Sequence, residues 1–192
     1  MTSILSLILI EGGVMTAAYP WYSLVEDRSL EQGDFLFLCR VLEPMAPDVL
    51  TPDTEFVIKA IDREYDVLIL SQSCDLVQGK IETVLVCPHW PIEILEEQHE
   101  FFRSRRGKED VRRGNVPGYH MLAACELPGY VSPVRVVSFR QVFGLPFGYV
   151  VGLVHRQSPR LRLNPPYREH LGQAFARFVM RVGLPVDIPS CK

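Results

Sequence analysis

The chain has 192 residues, which suits one domain with room for a sizeable core. Hydrophobic residues make up 47% of it, a share that excludes wholesale disorder. The formal net charge of −3 excludes the overall basic character on which many nucleic-acid-binding domains depend.

The chain opens with an apolar run over residues 3–10 that looks like the core of a signal sequence. It has no basic residue before it, and Glu11 follows almost at once. The run is also too short to cross a bilayer. We therefore expect residues 1–14 to be an over-extended start, with translation beginning at Met15 rather than Met1, or else an extra edge strand.

The number and spacing of the cysteines indicate the redox compartment of the protein. The chain has five cysteines with no CxxC pair and no framework spacing: Cys39, Cys74, Cys87, Cys125 and Cys191. We expect reduced thiols in a cytoplasmic protein that does not associate with a membrane.

Short apolar runs separated by turn residues predict six strands, at residues 34–42, 55–61, 66–71, 82–87, 134–139 and 149–154. Residues 62–65 and 78–80 are predicted as tight connections between neighbouring strands. This pattern is typical of a β-rich protein with consecutive strands paired antiparallel.

Two helices interrupt the strands. The first is predicted over residues 92–106, with acidic residues early and basic residues late, and a polar segment follows it over 107–118. The second follows Pro165 and Pro166. Its apolar stripe has helical spacing and consists of Leu171, Ala174, Phe175, Phe178, Val179 and Val182. We predict a mainly β fold with α: a compact barrel over residues 15–192, with a helical insert at about 91–118 and a C-terminal helix.

The most informative segment is the end of the strand at residues 66–71, where the apolar run stops in Ser71, Gln72, Ser73, Cys74 and Asp75. A buried strand that ends in polar side chains is a common place for a site. Such side chains can also satisfy the open backbone groups of a strand end, and we consider this structural role the best single explanation of the motif.

Three short motifs in this order resemble the MazF/PemK family of small SH3-like barrels: Gly33-Asp34-Phe35-Leu36, Val67-Leu-Ile-Leu-Ser71 and Val84-Leu-Val-Cys-Pro88. The segment 134–142 resembles the later strand and turn of that family. The chain also resembles a set of uncharacterised bacterial proteins that share the SQSCDL strand end, residues 71–76 here, and the terminus found at residues 166–185.

The MazF/PemK resemblance implies an SH3-like barrel, a toxin–antitoxin or defence system in bacteria, and a homodimer as a possible state. Ribonucleases of that family use an arginine before the apolar strand and a threonine after the later proline. Here Arg63 lies near the first place, but His89 and Trp90 follow Pro88. The resemblance therefore supports the barrel more than the cleavage chemistry.

Two kinds of catalysis are open. In a metal-independent endoribonuclease acting on single-stranded RNA, Arg63 would hold the phosphate while Asp75 or His89 transferred protons. In a thiol enzyme, Cys74 would be the nucleophile. No cofactor and no metal is expected, since a zinc site from Cys74, Cys87, His89 and His120 lacks a partner pair.

Basic side chains offer a second kind of site. The candidates for binding RNA or an acidic protein surface are Arg105, Arg106, Arg112 and Arg113 in the insert and Arg177 on the last helix. A solvated charge run and a docked helix are the alternatives.

Our leading hypothesis is a binding or regulatory module with a protein partner that is regulatory or antitoxin-like. Its working surface would be a rim formed by residues 71–75, His89 and Trp90, with Arg63 close by. The endoribonuclease is the first alternative, and the Cys74 enzyme is the second.

Overall fold

The structure, a computed structural model, describes residues 20–45 and 59–180. The predictions for residues 1–14, for the strand beginning at residue 55 and for Val182 fall wholly or partly outside these ranges. The strands are β1 (Tyr22–Val25), β2 (Phe35–Pro44), β3 (Ala60–Ile69), β4 (Thr83–Pro91), β5 (Tyr119–Leu122), β6 (Cys125–Leu127), β7 (Tyr130–Ser132), β8 (Arg135–Ser138), β9 (Phe143–Pro146) and β10 (Arg160–Leu163). The helices are α1 (Ser73–Val77), α2 (Ile92–Gln98), α3 (Glu100–Arg103), α4 (Arg105–Arg112), α5 (Phe147–Arg156) and α6 (Tyr167–Val179).

The main sheet has six strands in the order β2-β3-β4-β8-β5, with β9 also paired to β4. Two small sheets, β1-β10 and β6-β7, lie beside it. Every strand pair in the described residues is antiparallel. A mixed fold of antiparallel sheets and helices is therefore confirmed, but the described strands do not close into a barrel.

The sheet separates two apolar cores. Successive residues of a strand point to opposite faces, so Leu68 packs in one core while Val67 and Ile69 pack in the other. Helix α6 buries Leu171 and Ala174 in the Leu68 core. Helix α5 contributes three residues to the other core: Val150, Leu153 and Val154. A sheet covered on both faces by helices has no exposed apolar face to bury, so rolling into a closed barrel is not required.

One predicted strand and one predicted connection are wrong. Residues 149–154, predicted as a strand, belong to helix α5, whose buried residues have helical spacing. Residues 62–65, predicted as a turn, continue β3 in antiparallel pairing with β2 as far as Pro44↔Ala60. Diagonal ion pairs between Arg40 and Asp62 and between Arg63 and Glu43 help hold this extension.

The helical insert is present but divided. The predicted helix 92–106 breaks at His99 and Ser104, both of which have extended backbone angles. Ser104 begins a new helix because its Oγ accepts a hydrogen bond from the Gly107 N–H at 2.9 Å, as an N-cap does. Helix α4 then runs to Arg112, through part of the predicted polar connection.

The Gly33-Asp34 pair lies at the start of β2, where the main sheet meets the β1-β10 sheet. Gly33 has φ +85°, and a Cβ there would lie 2.9 Å from Leu163 Cβ. Its N–H donates to the Ile69 carbonyl, and its own carbonyl accepts from the Leu163 N–H. Only glycine meets both requirements without strain, which explains why this position is Gly.

Candidate functional site

The polar turn after β3 is built largely from hydroxyl groups that bind backbone N–H groups. Ser71 Oγ accepts from the Leu85 N–H at 2.9 Å, and Ser73 Oγ accepts from the Gln32 N–H at 3.1 Å. Both serines therefore have the structural role considered above. Gln72 and Cys74 remain exposed, and Asp75 is half-buried.

A groove with a volume of about 820 Å³ lies between this turn and helix α6. We call it the α6 groove. Its lining consists of Gln32, Leu70, Ser71, Gln72, Asp75, Ile81, Thr83, Leu85, Glu169, Gly172, Gln173, Phe175, Ala176, Val179 and Met180. The apolar members give it a hydrophobic floor, and its two charged members, Asp75 and Glu169, are both acidic. The groove therefore combines apolar surface with negative charge.

One wall of the α6 groove includes Thr83, at the end of β4. Leu85 directs its backbone toward β3, since its carbonyl accepts from the Leu70 N–H at 2.9 Å. Backbone direction alternates along an antiparallel strand, so Thr83 directs its N–H and C=O to the same side. In the described residues β3 pairs with β4 only at Val86–Pro88, because the chain turns into α1 beyond Ile69. The Thr83 backbone therefore faces the groove with no strand beside it.

The three groups assigned to RNA cleavage do not meet. Arg63 pairs with Val41 near the outer end of the β2–β3 hairpin, and its guanidinium binds Glu43 at 3.1 Å. Ile69 lies six positions along β3 from Arg63, a span of about 20 Å, and Asp75 lies beyond that end. The predicted single rim is therefore wrong, because β3 and β4 keep its parts at different ends of the sheet.

His89 is also misplaced in that prediction, since it is only 1% exposed. Its Nδ1 accepts a hydrogen bond from Arg135 Nε at 2.7 Å, and Arg135 Nη2 donates to Asp66 Oδ2 at 2.8 Å. Burial lowers the pKa of His89 well below its usual value, Arg135 lowers it further, and the Val67 backbone opposes the shift. His89 is thus a neutral internal link between β4, β8 and β3.

Trp90 lies on the opposite face of β4 from His89 and packs, half-buried, against the core of the insert, which includes Phe102 and Val111. It anchors the α2–α4 insert and takes no part in the α6 groove.

The basic residues of the insert are largely neutralised by acids beside them. Glu109 binds both Arg112, at 2.7 Å, and Arg113, at 2.5 Å. Arg106 lies 3.9 Å from Asp110. These three arginines and Arg105 are exposed. Residues 92–113 contain six acidic and six basic residues, so the insert has no net charge with which to attract phosphate.

Arg177, on α6, faces the end of the insert. Its guanidinium lies beside Gly114, and its charge contributes to the low pKa of His120. Helix α6 is docked by a different arginine, since Arg168 binds Glu31 at 2.7 Å and Glu169 at 3.2 Å.

Sequence reasoning missed the most heavily charged part of the interior. Asp34 is 0% exposed and binds two arginines of β10, Arg160 and Arg162. Asp27, Glu31 and the Ser29 carbonyl complete the network. The alternation in Arg160-Leu-Arg-Leu163 is a strand signal, but all four residues are buried, and the acidic partner lies 126 positions away from Arg160.

Cys74 is the exposed cysteine of the described part, where Cys39, Cys87 and Cys125 are buried. Its Sγ lies 3.8 Å from Gln72 Oε1. Residues 20–45 and 59–180 contain no group of three His, Cys, Asp or Glu side chains placed to hold a metal ion. Within the same ranges, no helix is long and apolar enough to cross a membrane.

Comparison with models of protein families finds no match, and comparison with curated proteins finds none either.

Proposed function

We propose that this protein is a binding module whose working surface is the α6 groove. The observation that carries the proposal is the open backbone of Thr83 on one wall of an apolar, acidic groove. An extended segment of a partner protein can add to such an edge, so that backbone hydrogen bonds supply affinity and side-chain pockets supply specificity.

The chemistry of the groove defines the partner segment. Alternate side chains of an added strand point toward the groove floor, so they should be apolar to match Leu85, Phe175 and Val179. Asp75 and Glu169 favour lysine or arginine at the positions that reach the rim. We infer an extended, basic and apolar segment.

The resemblance to MazF/PemK proteins supports a bacterial toxin–antitoxin or defence system as the setting. In this proposal the β2-β3-β4-β8-β9 strands would be a divergent version of the SH3-like barrel of that family, and the partner would be regulatory or antitoxin-like. A homodimer through the same groove is the alternative occupant.

The endoribonuclease remains the competing proposal, with residues other than the separated trio. Incubation with a mixed single-stranded RNA pool in EDTA tests it. If the wild type and the Arg63→Ala variant both cleave the RNA, the protein is a ribonuclease whose site lies elsewhere. Cleavage lost in Arg63→Ala would give Arg63 a role in the reaction without Asp75 and His89.

Selection from a random dodecapeptide library tests the binding module. We expect the immobilised protein to enrich peptides in which lysine or arginine alternates with apolar residues. The Leu85→Arg variant should lose them, because the substitution fills the groove beside the open edge. Leu42→Arg is the matched control, since Leu42 is exposed but lies on β2, outside the groove. Peptides retained by Leu85→Arg, or the absence of any enrichment, would overturn the proposal.

A further inference from the structure

A second cavity has a volume of about 590 Å³ and shares no lining residue with the α6 groove. Its walls come from β2, from helix α5, from the segment that follows α5 and from Tyr130 on β7. We call it the bulge pocket, because a β-bulge forms one wall. Its volume lies within the range of small-molecule sites.

The bulge is at Phe37 and Leu38, which face the single residue Asp66 on β3. Gln157 at the end of α5 binds both backbone groups of Phe37: its Oε1 accepts from the N–H at 2.9 Å, and its Nε2 donates to the carbonyl at 2.6 Å. Asp66 Oδ1 accepts from the Leu38 N–H at 3.3 Å. Side chains on two other elements therefore fix this wall.

Leu38 has φ +51° and a side chain that is 68% exposed. Positive φ is unfavourable for leucine, and Leu38 belongs to none of the apolar cores of the described residues. Backbone strain and β-bulges are both concentrated beside functional sites. The wall is therefore held in a shape that packing of the Leu38 side chain does not explain.

The charged lining of the bulge pocket is entirely cationic, and it consists of Arg40, Arg156 and Arg160. Arg160 directs its guanidinium away, into the buried network around Asp34. Arg40 binds Asp62 at the rim. Arg156 has no ion-pair partner among the described residues, so it is the guanidinium available to an anion.

The pocket also presents aromatic rings. Tyr149 accepts from the Arg40 N–H at 3.0 Å and donates to the Arg40 carbonyl at 3.1 Å. The Tyr130 hydroxyl donates to the Pro159 carbonyl. Both hydroxyls are thus used to hold the rings in place, and both side chains are half-buried, which leaves ring surface for a planar ligand.

We propose that the bulge pocket binds a nucleoside phosphate, with its base against Tyr130 and Tyr149 and its phosphate on Arg156. A planar base with an anion attached is the common biological ligand that uses fixed aromatic rings and a free guanidinium together. The nucleotide is either free or part of a single-stranded RNA, because both present the same group.

Calorimetric titration of the full chain with 5′-AMP, 5′-GMP, 5′-CMP and 5′-UMP tests the proposal. At least one should bind, and Arg156→Gln should weaken it by about tenfold or more, as expected when a charge-assisted hydrogen bond is lost. Tyr149→Leu should also weaken binding of the nucleotide. The nucleoside with the same base, which lacks the phosphate, should bind the wild type as weakly as the nucleotide binds Arg156→Gln.

Arg140→Gln is the matched control, because Arg140 is an exposed arginine outside the pocket, and the affinity of this variant for the nucleotide should stay within about twofold of the wild-type value. A single-stranded RNA hexamer distinguishes the two sources: binding that Arg156→Gln weakens assigns the site to RNA, and no binding assigns it to free nucleotides. Failure of all four monophosphates and of the hexamer to bind, or equal binding by Arg156→Gln, would overturn the proposal.

Discussion

Arg162 and Asp34 form a two-point ion pair inside the protein. Nη2 of Arg162 donates to Oδ2 of Asp34 at 3.0 Å, and Nε donates to Oδ1. The Arg162 side chain is 8% exposed and that of Asp34 is 0% exposed. Arg160 donates to the same carboxylate at 3.0 Å, so Asp34 is the shared acceptor of two buried cations that join β10 to the start of β2.

Replacing Asp34 should therefore be severe. Asp34→Ala leaves Arg160 and Arg162 without their buried partner, and we expect the free energy of unfolding to fall by about 3–5 kcal/mol. Urea denaturation measures it. Asp62→Ala, which removes the partner of the exposed Arg40, should change stability by less than about 1 kcal/mol. Equal losses of unfolding free energy in the two variants would show that the buried ion pair contributes no more to stability than the exposed one.

Gly33 provides a second test, with a control that separates its two requirements. Gly33→Ala should destabilise the protein both through positive φ, at about 1–2 kcal/mol, and through the contact with Leu163. Gly129 has φ +82° but no heavy atom within 4 Å of an added Cβ, so Gly129→Ala should show only the first effect. Thermal unfolding of both variants measures the difference, and a Gly33→Ala loss no larger than that of Gly129→Ala would contradict the close approach.

The strand predicted at residues 149–154 shows where the sequence is ambiguous. Valines at 150, 151 and 154 favour a strand by propensity. The buried members are Val150, Leu153 and Val154, whose spacing is that of one helix face. A short apolar run fits either period, and only packing against the sheet decides between them. The C-terminal helix was predictable because its apolar stripe extends over several turns.

The candidate sites were predictable only in part. The strand end at residues 71–75 does line a groove, because the switch from apolar to polar residues is a local signal. The groove's other wall, on α6, and the pairing of His89 with Arg135 depend on contacts between distant segments. Likewise, nothing near Arg160 in the sequence indicates that its charge points inward.

The pH dependence of stability should reveal the half-buried imidazole of His120. Burial, with the nearby charges of His170 and Arg177, lowers the pKa of His120 from 6.5 to about 4. Below pH 6.5 the unfolded chain takes up this proton and the folded chain does not, so the free energy of unfolding should fall as the pH drops from 6.5 to 4. This one residue accounts for up to about 3 kcal/mol of that loss.

His120→Phe should make the decline shallower, because phenylalanine keeps the ring contact with Phe139 and has no proton to gain. Urea denaturation between pH 4 and 7 measures it. His155→Gln, at an exposed position on α5, should leave the slope unchanged. His89 will keep part of the slope in both variants, since its pKa is also lowered. Identical slopes for wild type and His120→Phe would contradict the assignment.

Cys74 should react with iodoacetamide before the other described cysteines. It is exposed, whereas burial raises the pKa of Cys39 and of Cys87. Because exposure alone predicts this order, preferential labelling does not identify a thiol enzyme. A thiol enzyme is identified by comparing the reaction rate of Cys74 with that of free glutathione at pH 7. We expect a Cys74 rate within about threefold of it, as for an ordinary surface thiol. A rate far above that would support the thiol enzyme.

The distance along the chain between Asp34 and Arg160, 126 positions, has a consequence for how the protein is made. During synthesis β2 and β3 emerge long before β10, and the site that will enclose the Asp34 carboxylate has no cation until then. Contacts this remote in sequence form late and slowly. A nascent or truncated chain that ends before Arg160 can pair its hairpin but cannot dehydrate Asp34. Such a chain should stay open to chaperones and proteases, and the Asp34 carboxylate can become buried only after β10 has been synthesised.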